Sequence, residues 1–378
     1  MSMLSVSPQK DDVGQCPRSD AAASGGIVCA MVPYWGDGNP YQDQLAKSLT
    51  SQGTQVHMFE SLKAALRYIR SAKVKVKILH LHWLPVFAFS LMMFLRLVMF
   101  YCRLALVRAL GIKIVWTVHN LRPHESRWPK GDWLIGKLVA ALSSAIIVHT
   151  DAGAAQVGSM FGEKIKDKIF VIPHGNYIGF YQDRVDRATS RRKLEIPESK
   201  TVIVSLGTIR PYKGILSLIQ SFKELERERQ DICLLIAGKL GADALRGAIE
   251  TEIAGHENIY FRPGFVLPED VQLYMRGADA CVFPYEDILT TGALILAMSF
   301  GRACIAPALG DVTEVLGAEG GYVYDPKEPS GLLNALRQAT ESRAKLEQMG
   351  QYNRRRAVAW DWSHVAQRTL ETYRRALS

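Results

Sequence analysis

Eleven short apolar runs, each bounded by polar or glycine-rich turns and separated by stretches long enough for a helix, constrain this chain more than any single motif. They lie at 27–32, 55–59, 78–82, 114–119, 145–149 and 169–172, then at 201–206, 233–237, 259–261, 280–283 and 303–306. Near-continuous hydrophobic strands alternating with helices predict parallel sheets covered on both faces. Two such series in tandem make an α/β protein of two Rossmann-like domains. At 378 residues, 48% of them apolar, the chain is long enough for two cores of about 150–200 residues each. The boundary is expected within 175–199, where a tyrosine-containing loop passes into the charged VDRATSRRKLEIPESK. The reading is a tail over 1–26, a first domain over 27–180, a second over 181–355, and a terminal helix over 356–378.

Residues 1–26 are polar and lack the apolar centre of a secretion signal, so they read as a mobile tail. The six cysteines are scattered, without C-x-x-C spacing, and several fall inside apolar runs. Buried free thiols in a reducing cytoplasm are expected, in preference to disulfides or a metal site. No aspartate-rich metal motif stands out, and no metal or cofactor is expected.

The net charge is +9, but its placement tells more. Between Lys63 and Lys137 fourteen Lys or Arg face only Glu125 and Asp132, a local balance of +12. Inside that zone lies the most apolar stretch, LPVFAFSLMMFLRLVMFYCRLALVRAL at 84–110. Its uninterrupted apolar part is shorter than the roughly 20 residues a bilayer span needs. Arg96 and Arg103, seven apart, share a helical face, and Arg108 lies to the side. Two readings stay open: a core helix of the first domain, or a helix lying in the interface of an anionic membrane, with Phe94 in the acyl layer and Arg96 and Arg103 among headgroups. The basic surround favours the second. Nucleic acid is disfavoured, because the interleaved residues are aliphatic and no nucleic-acid motif occurs.

Candidate chemistry sits at strand ends. The loop PYWGDGNPY after the first strand carries Gly36, Gly38 and Asn39, which let backbone N–H groups approach a negative ligand; a plain turn is the alternative. His80 and His82 alternate with leucines and point to one face. His119 closes the strand IKIVWTV, where an open α/β sheet has its ligand crevice. Glu125 follows in a loop over the same crevice, where a carboxylate can act as a general base.

The segment FPYEDILTTGALILAMSFGRACIAP at 283–307 resembles the sugar-nucleotide signature of GT-B glycosyltransferases, most closely family 4. LGTIRPYKG at 206–214 resembles the family's G-R-x-x-x-x-K-G, and VIPHGNY at 171–177 its I-P-N-G-V. These motifs cover roughly residues 27–370. The resemblance implies a GT-B fold, two Rossmann-like domains facing across a cleft, and a final helix crossing back to the first. It implies that His119 lies near the donor sugar, that His174 and Asn176 line the cleft, and that Arg210 and Lys213 hold the donor diphosphate, where charge grows in the transition state. It further places Gly238, Lys239, Phe265 and Val266 along the nucleotide, and Tyr285, Glu286, Asp287, Thr290, Thr291 and Gly292 at the sugar and phosphates. The sequence departs from the family in one respect: its Glu-x7-Glu pair falls on Ile288 and Leu296. The threonines and Gly292 are expected to bind phosphate at a helix N-terminus, with Glu286 or Asp287 taking a ribose or sugar contact.

The expected function is transfer of a hexose from a nucleotide sugar, GDP-mannose or a UDP-hexose, to a lipid-linked or other glycan acceptor, by a metal-independent enzyme peripheral on the inner face of the cell membrane. A non-catalytic nucleotide-binding scaffold is the alternative, because both glutamates are missing.

Overall fold

A computed structural model describes residues 26–34, 40–71, 74–85, 91–121 and 128–378. The described residues form twelve strands: β1 Val28–Val32, β2 Gln55–Met58, β3 Ile78–Leu81, β4 Lys113–Thr117, β5 Ala145–Val148, β6 Ile169–Val171, β7 Thr201–Leu206, β8 Ile232–Gly238, β9 Ile259–Pro263, β10 Ala280–Val282, β11 Ala303–Pro307 and β12 Gly321–Tyr324. They build two six-stranded sheets, ordered β2-β1-β3-β4-β5-β6 and β12-β11-β10-β7-β8-β9, with every pairing parallel. The α/β class and the two Rossmann-like sheets expected from the apolar rhythm are present. The twelfth strand was not anticipated. Its Gly321 hides it: a Cβ there would sit 1.9 Å from the Cys304 carbonyl oxygen, so the edge pairing demands a residue that reads as a turn.

The strands are hydrophobic on both faces because helices cover both. On the first sheet, Cys29, Met31, Ile78, Val115 and Ile147 face the helices Pro40–Ser51 and Trp362–Leu377. The alternate residues Ala30, Val32, Leu79, Ile114 and Ile146 face Leu66, Phe100, Leu104, Val107 and Val139 from three other helices. The second sheet is enclosed in the same way by two further apolar clusters. Four free thiols, Cys29, Cys233, Cys281 and Cys304, are buried, while Cys102 is exposed.

The helix Leu91–Ala109 is apolar on two sides. Leu97, Phe100, Leu104 and Val107 enter the core at helical spacing. On the other side Met92, Phe94, Leu95, Val98, Met99 and Leu106 are exposed. Tyr101 and Arg108 bond the Ile135 and Leu142 carbonyls of the helix Pro129–Leu142, which adds exposed Leu134 and Leu138. Among the described residues no helix is long and apolar enough to cross a membrane.

The last helix starts where Asp361 accepts from the N–H groups of Ser363 (2.9 Å) and His364 (3.1 Å), an N-cap. Its apolar stripe of Trp362, Val365, Ala366, Leu370, Tyr373 and Ala376 packs on the first sheet. At its centre the Tyr373 hydroxyl accepts from the Cys29 thiol (3.4 Å) and lies 2.7 Å from His80 Nδ1, while His80 Nε2 lies 2.7 Å from Thr117 Oγ1. Tyr373→Phe leaves a buried imidazole nitrogen without its partner, which costs about 1–3 kcal/mol. A lower urea midpoint at unchanged slope is the expected result. An unchanged midpoint would show that this hydroxyl does not hold the helix.

Candidate active site

In a parallel sheet all carboxyl ends lie on one rim, and in the first sheet that rim carries histidines. His82 follows β3, His119 lies just beyond β4, His149 follows β5, and His174 comes shortly after β6. The Tyr41 ring, from the first helix, sits among them with centroid separations of 4.9 Å to His119, 4.9 Å to His174, 5.6 Å to His149 and 5.8 Å to His82. Trp83 stacks on His119 at 4.5 Å. All four rim histidines are buried, as is His80 beneath them.

Hydrogen bonding fixes how these rings are protonated. His149 Nδ1 lies 3.0 Å from the Ile172 carbonyl oxygen, which can only accept, so that nitrogen carries the proton and Nε2 is an acceptor. His119 Nδ1–H then donates to His149 Nε2 (3.5 Å), and His82 Nδ1–H donates to His119 Nε2 (3.2 Å). The remaining lone pair, on His82 Nε2, is buried and has no partner among the described residues. Burial keeps the rings neutral: it holds His80 and His174 down at about 3 and His149 at about 4. His82 and His119 are pushed well below the usual histidine range by burial first and by neighbouring histidines second. His119 therefore has both nitrogens engaged, and the open acceptor of the chain belongs to His82.

The opposing rim belongs to the second sheet. After β7 the chain makes the turn Pro211–Lys213, and Gly214 follows at φ +64°, where a Cβ would lie 2.0 Å from the Pro284 carbonyl oxygen. No other residue fits so close to the next loop. Lys213 Nζ lies 5.3 Å from the centre of the Tyr285 ring, and its pKa is lowered by burial first and by nearby Arg210 as well. The Glu286 N–H donates to the Tyr212 carbonyl (2.9 Å), locking the two loops together. Thr291 caps the helix Gly292–Ser299, its hydroxyl accepting from the Ala293 N–H (3.3 Å). Gly292 faces across the cleft: a Cβ there would lie 2.7 Å from the Tyr177 hydroxyl and 3.6 Å from His174 Nε2.

Lys213, Tyr285, Thr291, Gly292 and His174 are thus brought to one place. Arg210 and Lys239 lie exposed beside it. Gly238 touches the same loop, since its Cβ would lie 1.9 Å from the Gly207 carbonyl oxygen, and its own carbonyl accepts from the Gly264 N–H (3.0 Å). Phe265, 62% exposed, and Val266 follow Gly264. Glu286 and Asp287 are exposed and Thr290 is half-buried. Gly36, Gly38, Asn39 and Glu125 lie outside the described residues.

Asn176 needs correction as a donor contact. Its side-chain N–H donates to the Ala357 carbonyl (2.7 Å) and its side-chain oxygen accepts from Ile178 (3.0 Å), so this buried amide holds the chain crossing. The missing glutamates also have a physical account. Ile288 is buried in the second core, Leu296 packs against that core, and Leu289 reaches across into the first core. The loop is an apolar strap where the family has carboxylates.

Two carboxyl groups near this strap were overlooked. Asp311 is buried, hydrogen-bonded to Thr290 and raised to about 7 by burial, with one oxygen lacking a partner among the described residues. Glu314 accepts from the N–H groups of Asp151 (3.0 Å) and Ala152 (2.8 Å), reaching from the second half to a helix of the first. His149 was missed as well, although a third histidine ending a strand was a readable signal.

Two facing rims, one of neutral imidazoles and one with a half-buried lysine at a helix N-terminus, meet between the two sheets. The sequence profile of glycosyl transferases group 1 matches residues 186–356, and that of glycosyltransferase family 4 matches 40–176. The chain is 25% identical over 350 residues to a GDP-mannose:glycolipid 4-beta-D-mannosyltransferase of Xanthomonas campestris pv. campestris, an alignment covering 90% of this chain and 89% of that protein. It is 27% identical over 249 residues to a D-inositol 3-phosphate glycosyltransferase of Nocardia farcinica (64% of this chain); the aligned part spans only 54% of that relative's length. In three dimensions it resembles a sucrose-phosphate synthase from Thermosynechococcus elongatus, with TM-score 0.76, 18% identity, and coverage of 92% and 98% of the two chains. The chain is a GT-B glycosyltransferase resembling family 4.

The neutral histidines make the fold acid-sensitive. Their folded pKa values lie below the ordinary value of about 6.5, so the unfolded state binds more protons as pH falls from there, and stability drops through that window. For His80, His149 and His174 together the slope reaches about 4 kcal/mol per pH unit. The denaturant midpoint is expected to fall steeply between pH 7 and pH 5. A flat profile over that range would mean that these rings are charged in the folded state.

Proposed function

We propose that the protein transfers a hexose from a nucleoside diphosphate sugar, GDP-mannose or a UDP-hexose, to a lipid-linked glycan acceptor at the cytoplasmic face of the cell membrane, as a step in polysaccharide or glycoconjugate biosynthesis. The observation that carries this reading is the half-buried Lys213 beside Arg210, on a loop locked through Tyr212 and Glu286 to the segment that leads into Gly292–Ser299. Cations and helix N–H groups placed in advance stabilise a departing diphosphate without reorganising. Across from them the neutral His174, whose Nδ1 is bonded to the Gly175 carbonyl (2.7 Å), offers Nε2 as a hydrogen-bond acceptor to a sugar hydroxyl, with no charge to bind the phosphates in the wrong register. Asp287 or Glu286 is the proposed ribose contact, being exposed on the loop that leaves Tyr285.

The Xanthomonas relative, by its name, makes a β-mannoside on a glycolipid from GDP-mannose. GDP-mannose carries its diphosphate in the α configuration, so such a transfer inverts the anomeric centre and needs a base. Glu125 is the proposed base, because His119 has both nitrogens engaged. The exposed apolar side of Leu91–Ala109, flanked by Arg96, Arg103 and Lys137, is the proposed membrane seat that brings a lipid acceptor to the cleft.

Lys213→Ala is expected to lower kcat/KM about 100-fold or more with the preferred nucleotide sugar, as removal of a transition-state charge partner does. Neither binding nor turnover of any GDP- or UDP-sugar by the wild type would sink the proposal. In co-sedimentation with phosphatidylglycerol vesicles the wild type should pellet, and the double variant Leu95→Asp/Met99→Asp should stay in the supernatant. Equal pelleting of both would refute the membrane seat while leaving the transferase reading intact.

A further inference from the structure

A second cavity, of about 840 Å³, opens at the other end of the second sheet. It lies where β7, β10 and β11 begin, between the segment around Arg187 and the helix Arg343–Val358. Six arginines line it against three carboxylates, Asp186, Asp279 and Glu347. Most of the negative charge is already committed. Asp279 is bonded by Arg191 (2.7 Å) and Arg187 (2.8 Å), nearby Asp183 holds Arg276 (2.5 Å), and Asp186 caps a helix through the Thr189 N–H (2.7 Å).

Three arginines are left with neutral partners. Arg302 donates to the carbonyls of Ala278 (2.8 Å) and Phe300 (3.2 Å), Arg343 to Thr201 Oγ1 (3.1 Å) and the Ser199 carbonyl, and Arg354 to the Ser299 carbonyl. None of the three forms an ion pair among the described residues. These bonds use only part of each fork, so N–H donors remain, and the carbonyls hold the guanidinium groups in place. Burial first lowers the pKa of Arg302 and of Arg354, and the like charge of Arg276 adds to it, against the opposing pull of Asp279 on Arg302 and of Asp183 on Arg354. Partly desolvated cations that outnumber the carboxylates around them are costly, and an anion from outside relieves that cost. Planar forks held in advance suit phosphate oxygens.

We propose that this cavity is a binding site for a small anion carrying two or more phosphate groups, separate from the donor site. Six lining arginines against three lining carboxylates and nearby Asp183 leave an excess of two positive charges, which suits more than one phosphate, and the rim position rules out the donor, whose loops leave the opposite ends of the same strands. Once filled, the site ties the helix Arg343–Val358 to the starts of β7 and β11. That helix leads directly to Trp360 and Trp362, where the chain crosses to the first half.

Sodium tripolyphosphate serves as the probe, titrated calorimetrically into the full chain at ionic strength held constant with sodium chloride. Saturable binding is expected, about tenfold weaker in Arg354→Gln and at least threefold weaker in Arg355→Glu, a residue exposed at the mouth. The donor loop takes a polyphosphate as well, so in the variant Arg210→Ala/Lys213→Ala one saturable site should be lost while the site at this cavity keeps its affinity within about twofold. Should Arg354→Gln fail to fold, Arg355→Glu decides. Absence of saturable binding overturns the proposal, and so does binding that disappears in the donor-loop variant but persists in Arg355→Glu.

Discussion

Residues 362–377 leave the second half of the chain and bury an apolar stripe on the first sheet, so the halves are joined by two crossings that lie side by side. The crossings are welded together. Trp362 Nε1 donates to the Asn176 carbonyl (2.6 Å), the Asn176 N–H donates to the Trp360 carbonyl (2.8 Å), and a Cβ on Gly175 would lie 2.3 Å from the Trp362 ring. Two parallel sheets linked by a single strand of chain have no reason to present the same rims to each other. With the terminal helix seated, the carboxyl ends of both sheets meet, and Leu289, Gly292 and Glu314 of one half touch the other.

The cleft so formed divides its chemistry by charge. The first rim is kept neutral by burial, because imidazoles stacked among Tyr41 and Trp83 cannot afford solvation of a proton. The second rim keeps its cations in water-accessible loops or half-buried at a helix start. That division matches a donor with a neutral sugar at one end and a diphosphate at the other. The tautomer chain from the Ile172 carbonyl to His82 adds direction, since one carbonyl at its end dictates which nitrogen of each ring bears hydrogen.

Much of this was legible in advance, and the exceptions have physical causes. Strands were readable because both-face burial leaves near-continuous apolar runs. The helix Leu91–Ala109 allowed two readings because it is apolar on two sides, and sequence periodicity does not distinguish a core-facing stripe from an exposed one. Asn176 looked like a ligand contact because a motif records position and not hydrogen-bond partners. Asp311 and Glu314 escaped notice because their importance comes from contacts made across long sequence separations, with Thr290 and with the helix starting at Asp151.

The sequence alone determined the α/β class, the two parallel sheets, and the strand ends at which histidines, glycines and basic residues had to sit, since all of these follow from local periodicity and turn chemistry. Tertiary structure decided which of those ends meet, which histidine keeps a free lone pair, and why the strap from Ile288 to Leu296 is apolar. Those outcomes depend on desolvation and on partners distant in the chain, and a linear pattern carries neither.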